Sequence, residues 1–371
     1  MKLTKYLIIT CLLFIIPINS IKAQNTNTMY FMNEIAERNN LNPAFTPSCN
    51  FYFDFIFLPN IYFGFGNDNF IIRDFIYNKN GTTQTFLNSH ESLEHFFNNL
   101  QPTTTMNFNY NLNILSFGFQ VKKSYFTFDL GLNMDIATYL PSDLLKFALY
   151  GTPDPNGINS FDFSQSGIDA TLYSSAAFGY MYKINKQWTV GAKAKLLMGY
   201  ANINTSIDKL NLNASRQEWS LETDGTINAS LPLHFKTKEN GSIDFSTLQM
   251  NSANELLELL YKPAGMGAAI DLGIKYEPIK NLVISASVTD LGFIYWNKGA
   301  ISGNMKGEHQ IDGLVDYTLG DTIPIGTQVS ETFQNLGEEI LGTVHTNNYN
   351  NAYMTMMRAN FYAGIEYGVL H

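Results

Sequence analysis

A chain of 371 residues with a net charge of −9 and a pI near 5.1 lacks the basic footprint that nucleic acid requires, so no nucleic-acid partner is expected. Two cysteines, Cys11 and Cys49, are too few for a disulfide scaffold or a thiolate metal cluster. The 28 phenylalanines and 21 tyrosines favour strands.

In chain order, the first element is MKLTKYLIITCLLFIIPINSIKAQ. Lys2 and Lys5 precede an apolar run from Tyr6 to Ile18, which is too short for a comfortable membrane span and is interrupted by Pro17. This reads as a secretory signal over residues 1–23, cleaved after Ala23, and Cys11 leaves with it. Residues 24–48 then form a separate N-terminal segment that contains LNPAF, Leu41 to Phe45.

From there the chain alternates apolar and polar residues again and again. Phe51, Phe53, Phe55, Ile61, Phe63 and Phe65 share one phase, and MNFNYNLNI, Met106 to Ile114, alternates apolar residues with asparagine. A period of two is a strand with one greasy and one wet face. The phase slips at Ile114–Leu115, where a bulge would restore it. The pattern returns over 126–136, 172–184, 188–200, 227–235, 270–276, 282–288 and 353–367. Several runs exceed ten residues, longer than ordinary strands and close to the roughly 9–11 that a tilted membrane strand needs. Tight turns are expected at Lys122–Lys123, Asn185–Gln187, Thr223–Gly225 and Glu277–Asn281. Long segments over 67–104, 138–168, 203–216, 237–264 and 292–350 alternate with them, and three carry helical pieces, at Ser92–Phe97, Ser142–Phe147 and Ser252–Tyr261, with Ser142 and Ser252 as caps.

Short turns at one end and long loops at the other fit an all-β fold, an antiparallel transmembrane β-barrel with short helices in its long loops. No apolar stretch after the signal is long enough for a membrane helix, so a membrane would have to be crossed by a closed barrel. The rival is a secreted soluble sandwich or calycin-like barrel with the alternation turned inside out, which periodicity alone does not separate. Outer-membrane lipid and the barrel-assembly machinery are the partners that the membrane reading expects, and the outer membrane is its location.

The segment LNPAF and the hairpin GMGAAIDLGIKYEPIKNLVISASVTDLGFIYW, Gly265 to Trp296, resemble a Bacteroidota outer-membrane family of unknown function, domain-of-unknown-function family five-seven-two-three. The Asn-Pro-Ala triplet is also similar to the N-terminal hatch of long-chain fatty acid transporters and type IX secretion barrels. That resemblance implies a hatch motif at Asn42, Pro43 and Ala44 inside a barrel built from residues 49–371; the residue-level alternative is a proline turn. It also implies about 14 strands in a complete member, against about ten spans counted here, so the barrel is expected to be incomplete at its C-terminus.

On the wet face, Lys193 and Lys195 share one strand, Asp271 and Lys275 another, and Arg358 and Glu366 a third. Charges of both signs in a confined space tend to pair, so a mixed-charge lumen girdle that holds a hatch is expected; the alternative is charges bathed in lumen water. Catalytic signals are thin. His90 and His95 are five apart, which on a helix puts them about 140° apart, unlike HExxH. Gly265-Met-Gly267 opens a strand rather than a helix, the reverse of a phosphate loop. No catalytic residue, metal or cofactor is therefore expected. The function expected is a non-enzymatic barrel that passes or captures a ligand, hydrophobic or polar. The alternatives are an interaction barrel that docks a secretion or surface-protein partner and, more distantly, an outer-membrane hydrolase.

Overall fold

A computed structural model describes residues 27–33, 35–79, 81–87, 89–150, 159–214, 219–231, 233–237, 243–250, 261–311, 336–337, 340, 342, 344–349 and 352–368. The signal expected over 1–23 and the helix expected from Ser252 lie outside the described residues. The fold is mostly antiparallel β. Its strands are β1 (Phe51–Asn67), β2 (Ile76–Lys79), β3 (Thr82–Thr85), β4 (Thr103–Val121), β5 (Ser124–Pro141), β6 (Asn159–Asp162), β7 (Gly167–Lys183), β8 (Trp188–Ala214) and β9 (Trp219–Ser230). They continue as β10 (Leu233–Thr237), β11 (Ile243–Met250), β12 (Gly265–Ile279), β13 (Leu282–Trp296), β14 (Ala300–Ile311), β15 (His345–Tyr349), β16 (Tyr353–Met356) and β17 (Asn360–Tyr367).

Thirteen strands form one sheet, whose path runs β1-β4-β5-β7-β8-β12-β13, with β16 and then β17 on the far side of β13. Neighbours along the path are antiparallel, and among the described residues β1 and β17 at its ends are not paired to each other. The turns expected at Lys122–Lys123, Asn185–Gln187 and Glu277–Asn281 join β4 to β5, β7 to β8 and β12 to β13. Two of them place a non-glycine residue in the left-handed region, Lys122 at φ 55° and Asn281 at φ 72°. The bulge expected at Ile114–Leu115 is present: the β4–β5 register shifts between Asn113 and Leu115, and β1 shifts opposite it between Phe55 and Asn60.

The far end of the sheet departs from the sequence expectation. Within the expected loop 203–216, residues 203–214 continue β8 to a length of 27 residues, a contour of about 90 Å at ~3.4 Å per residue. The expected turn at Thr223–Gly225 lies inside β9, opposite a register shift at Ile207/Lys209 in β8. A Cβ on Gly225 would come within 2.7 Å of the Ser206 carbonyl, so the Asp-Gly pair marks a bulge with close backbone approach, not a reversal. The run 227–235 divides at Ser230, because β10 pairs with β11 in a separate small sheet. The run 353–367 divides at 357–359, so Arg358 stands in the break and not on a strand with Glu366. The division at 357–359, the polar strand β14 and the short strands β6 and β15 add to the sheet beyond the spans that alternation counts.

Above the sheet sits a separate apolar core. The helix Ser142–Tyr150 lays Phe147 against Phe161, Phe163, Leu212, Trp219 and Leu221. The expected helix at Ser92–Phe97 spans His90–Asn99 and is capped by Ser89, which accepts from Ser92 N–H at 3.1 Å. Phe147 is fully buried, so Phe147→Ala should cost about 3–5 kcal/mol locally. We expect faster limited proteolysis over 142–163, with the turn at Lys122–Lys123 no more sensitive than in the wild type.

Candidate functional site

The two faces of the sheet are opposite in chemistry. The outward phase carries large apolar side chains that remain exposed, among them Phe53 at 63%, Leu272 at 45% and Phe361 at 81%. The inward phase buries charge: Lys193 is 2% exposed and Asp271 0%.

Much of that inward face is filled by residues 27–48. Asn42 accepts from Ala44 N–H at 2.9 Å through its side chain, and its backbone carbonyl accepts from Phe45 N–H at 2.9 Å, so Asn-Pro-Ala is a β-turn with Pro43 at its second position. The turn is also buried in the sheet interior. The Asn42 amide reaches the carbonyls of Ile274 and Ala286 at 3.4 and 3.3 Å, and Ser287 donates to the Leu41 carbonyl at 2.6 Å. The sheet makes room with glycines. A Cβ on Gly191 would overlap the Pro43 carbonyl, and one on Gly273 would overlap the Asn42 side chain. Tyr30 packs over Gly364 and bonds Ser285 at 2.9 Å, and Thr46 reaches Met181 of β7. The segment thus touches β1 through Asn39–Tyr52 and β17 through Arg38–Glu366, so the sheet wraps around it from one end of its path to the other.

All six charges singled out in the sequence have partners of opposite sign, but not the partners that shared strands suggest. Lys193 meets Asp129 at 2.8 Å, Asn39 at 2.5 Å and also Asn40. Lys195 lies 2.8 Å from Asp271 and 2.6 Å from Asp290, so Asp271 pairs across strands and not with Lys275, which meets Glu277 at 2.7 Å. The Lys195–Asp271 contact is an ion pair without hydrogen-bond alignment, and Asp271 also accepts from Asp290 N–H at 2.8 Å. Glu366 pairs with Arg38, and burial pulls that guanidinium below its ordinary value against the opposing pull of Glu366. Arg358 crosses the interior to Asn107 at 2.9 Å and Asp169 at 3.6 Å.

Arg38 and Asp290 were missed in the sequence. Asp290 sits at φ 59° in a bulge of β13, and the break in alternation over Thr289–Gly292 was its only signal. Tyr200 and Tyr353 also differ from expectation. Tyr200 is the extra residue of a β8 bulge and is buried against Ser174 at 2.7 Å, and Tyr353 turns inward to Asn202 at 2.9 Å.

Beside the N-terminal segment, under β4, β5 and β7, lies a cavity of about 380 Å³. The asparagines of MNFNYNLNI line it and form a cross-strand ladder: Asn109 donates to Asp135 at 2.7 Å, Asn111 to Asn133 at 2.6 Å, and Asn133 to Ser175 at 3.1 Å. Among the described residues no cluster of His, Cys, Asp and Glu is arranged to hold a metal.

Residues 43–371 match the model of a family described as a family of unknown function (DUF5723), and the chain belongs to that family. No curated protein and no solved structure matches it.

The Arg38–Glu366 pair gives a direct test of how the segment is held. Removing one partner of a buried pair costs about 3–5 kcal/mol, because the other charge is left alone. Glu366→Gln should therefore speed hydrogen exchange over 36–45, while the double variant Arg38→Met/Glu366→Leu should recover much of the protection.

Proposed function

We propose that this member of the DUF5723 family is a non-enzymatic outer-membrane β-barrel that captures or passes a ligand through a partly filled interior. The observation that carries the reading is the inversion of the sheet. Soluble proteins rarely expose apolar patches beyond a few hundred Å², and they seldom bury lysine. Here exposed phenylalanine, leucine and isoleucine cover the outward phase of β1, β12, β13 and β17, while Lys193, Lys195 and Asp271 are inside. Lipid is the solvent that suits such an outer face. Residues 27–48 act as the hatch, the charge pairs hold it, and the cavity beside it is the place for a ligand. The polar lining turns the expectation away from a hydrophobic ligand. Outer-membrane lipid and the barrel-assembly machinery are the partners that this reading requires.

Leu272 lies at the middle of β12 on the outward face, and Asn111 lies on the inward face of β4. Arginine at a lipid-facing midplane costs about 2–4 kcal/mol, less where a wet interior receives it. Leu272→Arg should sharply reduce insertion into liposomes, and Asn111→Arg should insert nearly as the wild type does. Equal insertion of the two variants would show that the apolar face does not meet lipid.

A further inference from the structure

The cavity's lining is specific enough to name a ligand class, an inference that rests on the capture reading above. We infer that it binds a neutral, polyhydroxylated ligand, the end of a saccharide chain. Its volume of about 380 Å³ falls in the lower part of the usual small-molecule range of ~300–1,000 Å³.

The charges exclude the ionic alternatives. Both cations of the lining are already engaged, Lys195 by Asp271 and Asp290, and Arg358 by Asp169. An anionic ligand would have to compete with carboxylates for them. The four carboxylates of the lining are occupied too: Asp129 by Lys193, Asp290 by Lys195, Asp135 by the Asn109 amide and the Tyr173 hydroxyl at 3.2 Å, and Glu37 is not free either. A cation would find acceptors already satisfied.

What remains is the hydrogen-bonding capacity that the ladder leaves unused, since each amide nitrogen in it carries a second N–H. A carboxamide offers two donors and an acceptor in one plane, and a sugar hydroxyl is both donor and acceptor, so adjacent hydroxyls and amides satisfy one another. One amide donor is waiting: the Asn113 side-chain nitrogen is buried and has no hydrogen-bond partner among the described residues. Tyr62, Tyr173 and Tyr362 add rings with an apolar body and a polar tip, which suit the two faces of a pyranose. An alkyl chain in the same space would leave the amides facing hydrocarbon, which is unfavourable for every amide left without a partner.

The test is calorimetric titration of the full chain in detergent micelles with maltose, cellobiose and chitobiose, and with lauric acid and spermidine as apolar and cationic comparators. At least one disaccharide should bind saturably. Asn111→Leu/Asn133→Leu should weaken it at least tenfold, Asn111→Gln should retain most of it, and Ser175→Phe, which fills the cavity, should abolish it. Each variant is first checked for wild-type strand content by circular dichroism, so that loss of binding is not loss of fold. Silence from all three disaccharides at millimolar concentration overturns the inference. So does saturable uptake of lauric acid or spermidine that Ser175→Phe removes, or disaccharide binding that no variant changes. Liposome insertion of the same preparation separates the two readings. Insertion without saccharide binding sinks this inference alone, whereas saccharide binding without insertion sinks the membrane reading and leaves the ligand class standing.

Discussion

The buried ammonium of Lys193 sets the terms for the interior. An ion taken out of water must be met by opposite charge and by hydrogen bonds, or it is not tolerated. Here one carboxylate, Asp129, comes from β5, two strands away along the sheet, and two carboxamides, Asn39 and Asn40, come from the N-terminal segment. That coordination fixes the depth at which the segment sits. Everything below it follows by packing: the Asn-Pro-Ala turn falls opposite Gly191 and Gly273, where a side chain of any size would collide with it.

A sheet wrapped around such a segment differs from a small closed barrel. Eight strands enclose an interior just wide enough for their own side chains. This interior holds a chain segment with its own apolar cluster, Tyr30, Leu41 and Phe45, and a cavity besides. On the β8–β12–β13 side, Tyr173, Leu197, Ile294 and Trp296 form a dry layer, and Trp296 covers Gly199 and Gly265. The asparagine ladder under β4, β5 and β7 is therefore the wet side of an otherwise filled interior.

Much of this was legible in the sequence, and the parts that were not share a cause. Strands with a clean two-residue period, such as 126–136, were found with their faces, and the slip at Ile114–Leu115 was recognised as a bulge. The polar half of β8 and all of β14 were read as loops, and the middle of β9 as a turn, because no apolar alternation marks a strand stabilised by hydrogen bonding to its neighbours. The bulge at Asp290 turned its side chain to the other face, since one extra residue reverses the phase. Which charge pairs with which was hidden for a further reason: partners such as Lys195 and Asp290 meet through register, and register is not written in either strand alone.

The Arg38–Glu366 contact joins positions 328 residues apart. The segment that fills the interior comes at the start of the described chain, and its partners are spread from β1 to the last described strand. Closing so large a loop carries an entropic cost that grows with the logarithm of its length. Topologies dominated by such distant contacts fold slowly. The N-terminal segment must therefore wait, apolar rings and all, until β17 is laid down. Its seat is complete only when β17 is in place, which makes the docking of Arg38 on Glu366 a sign that both ends of the sheet's path are present.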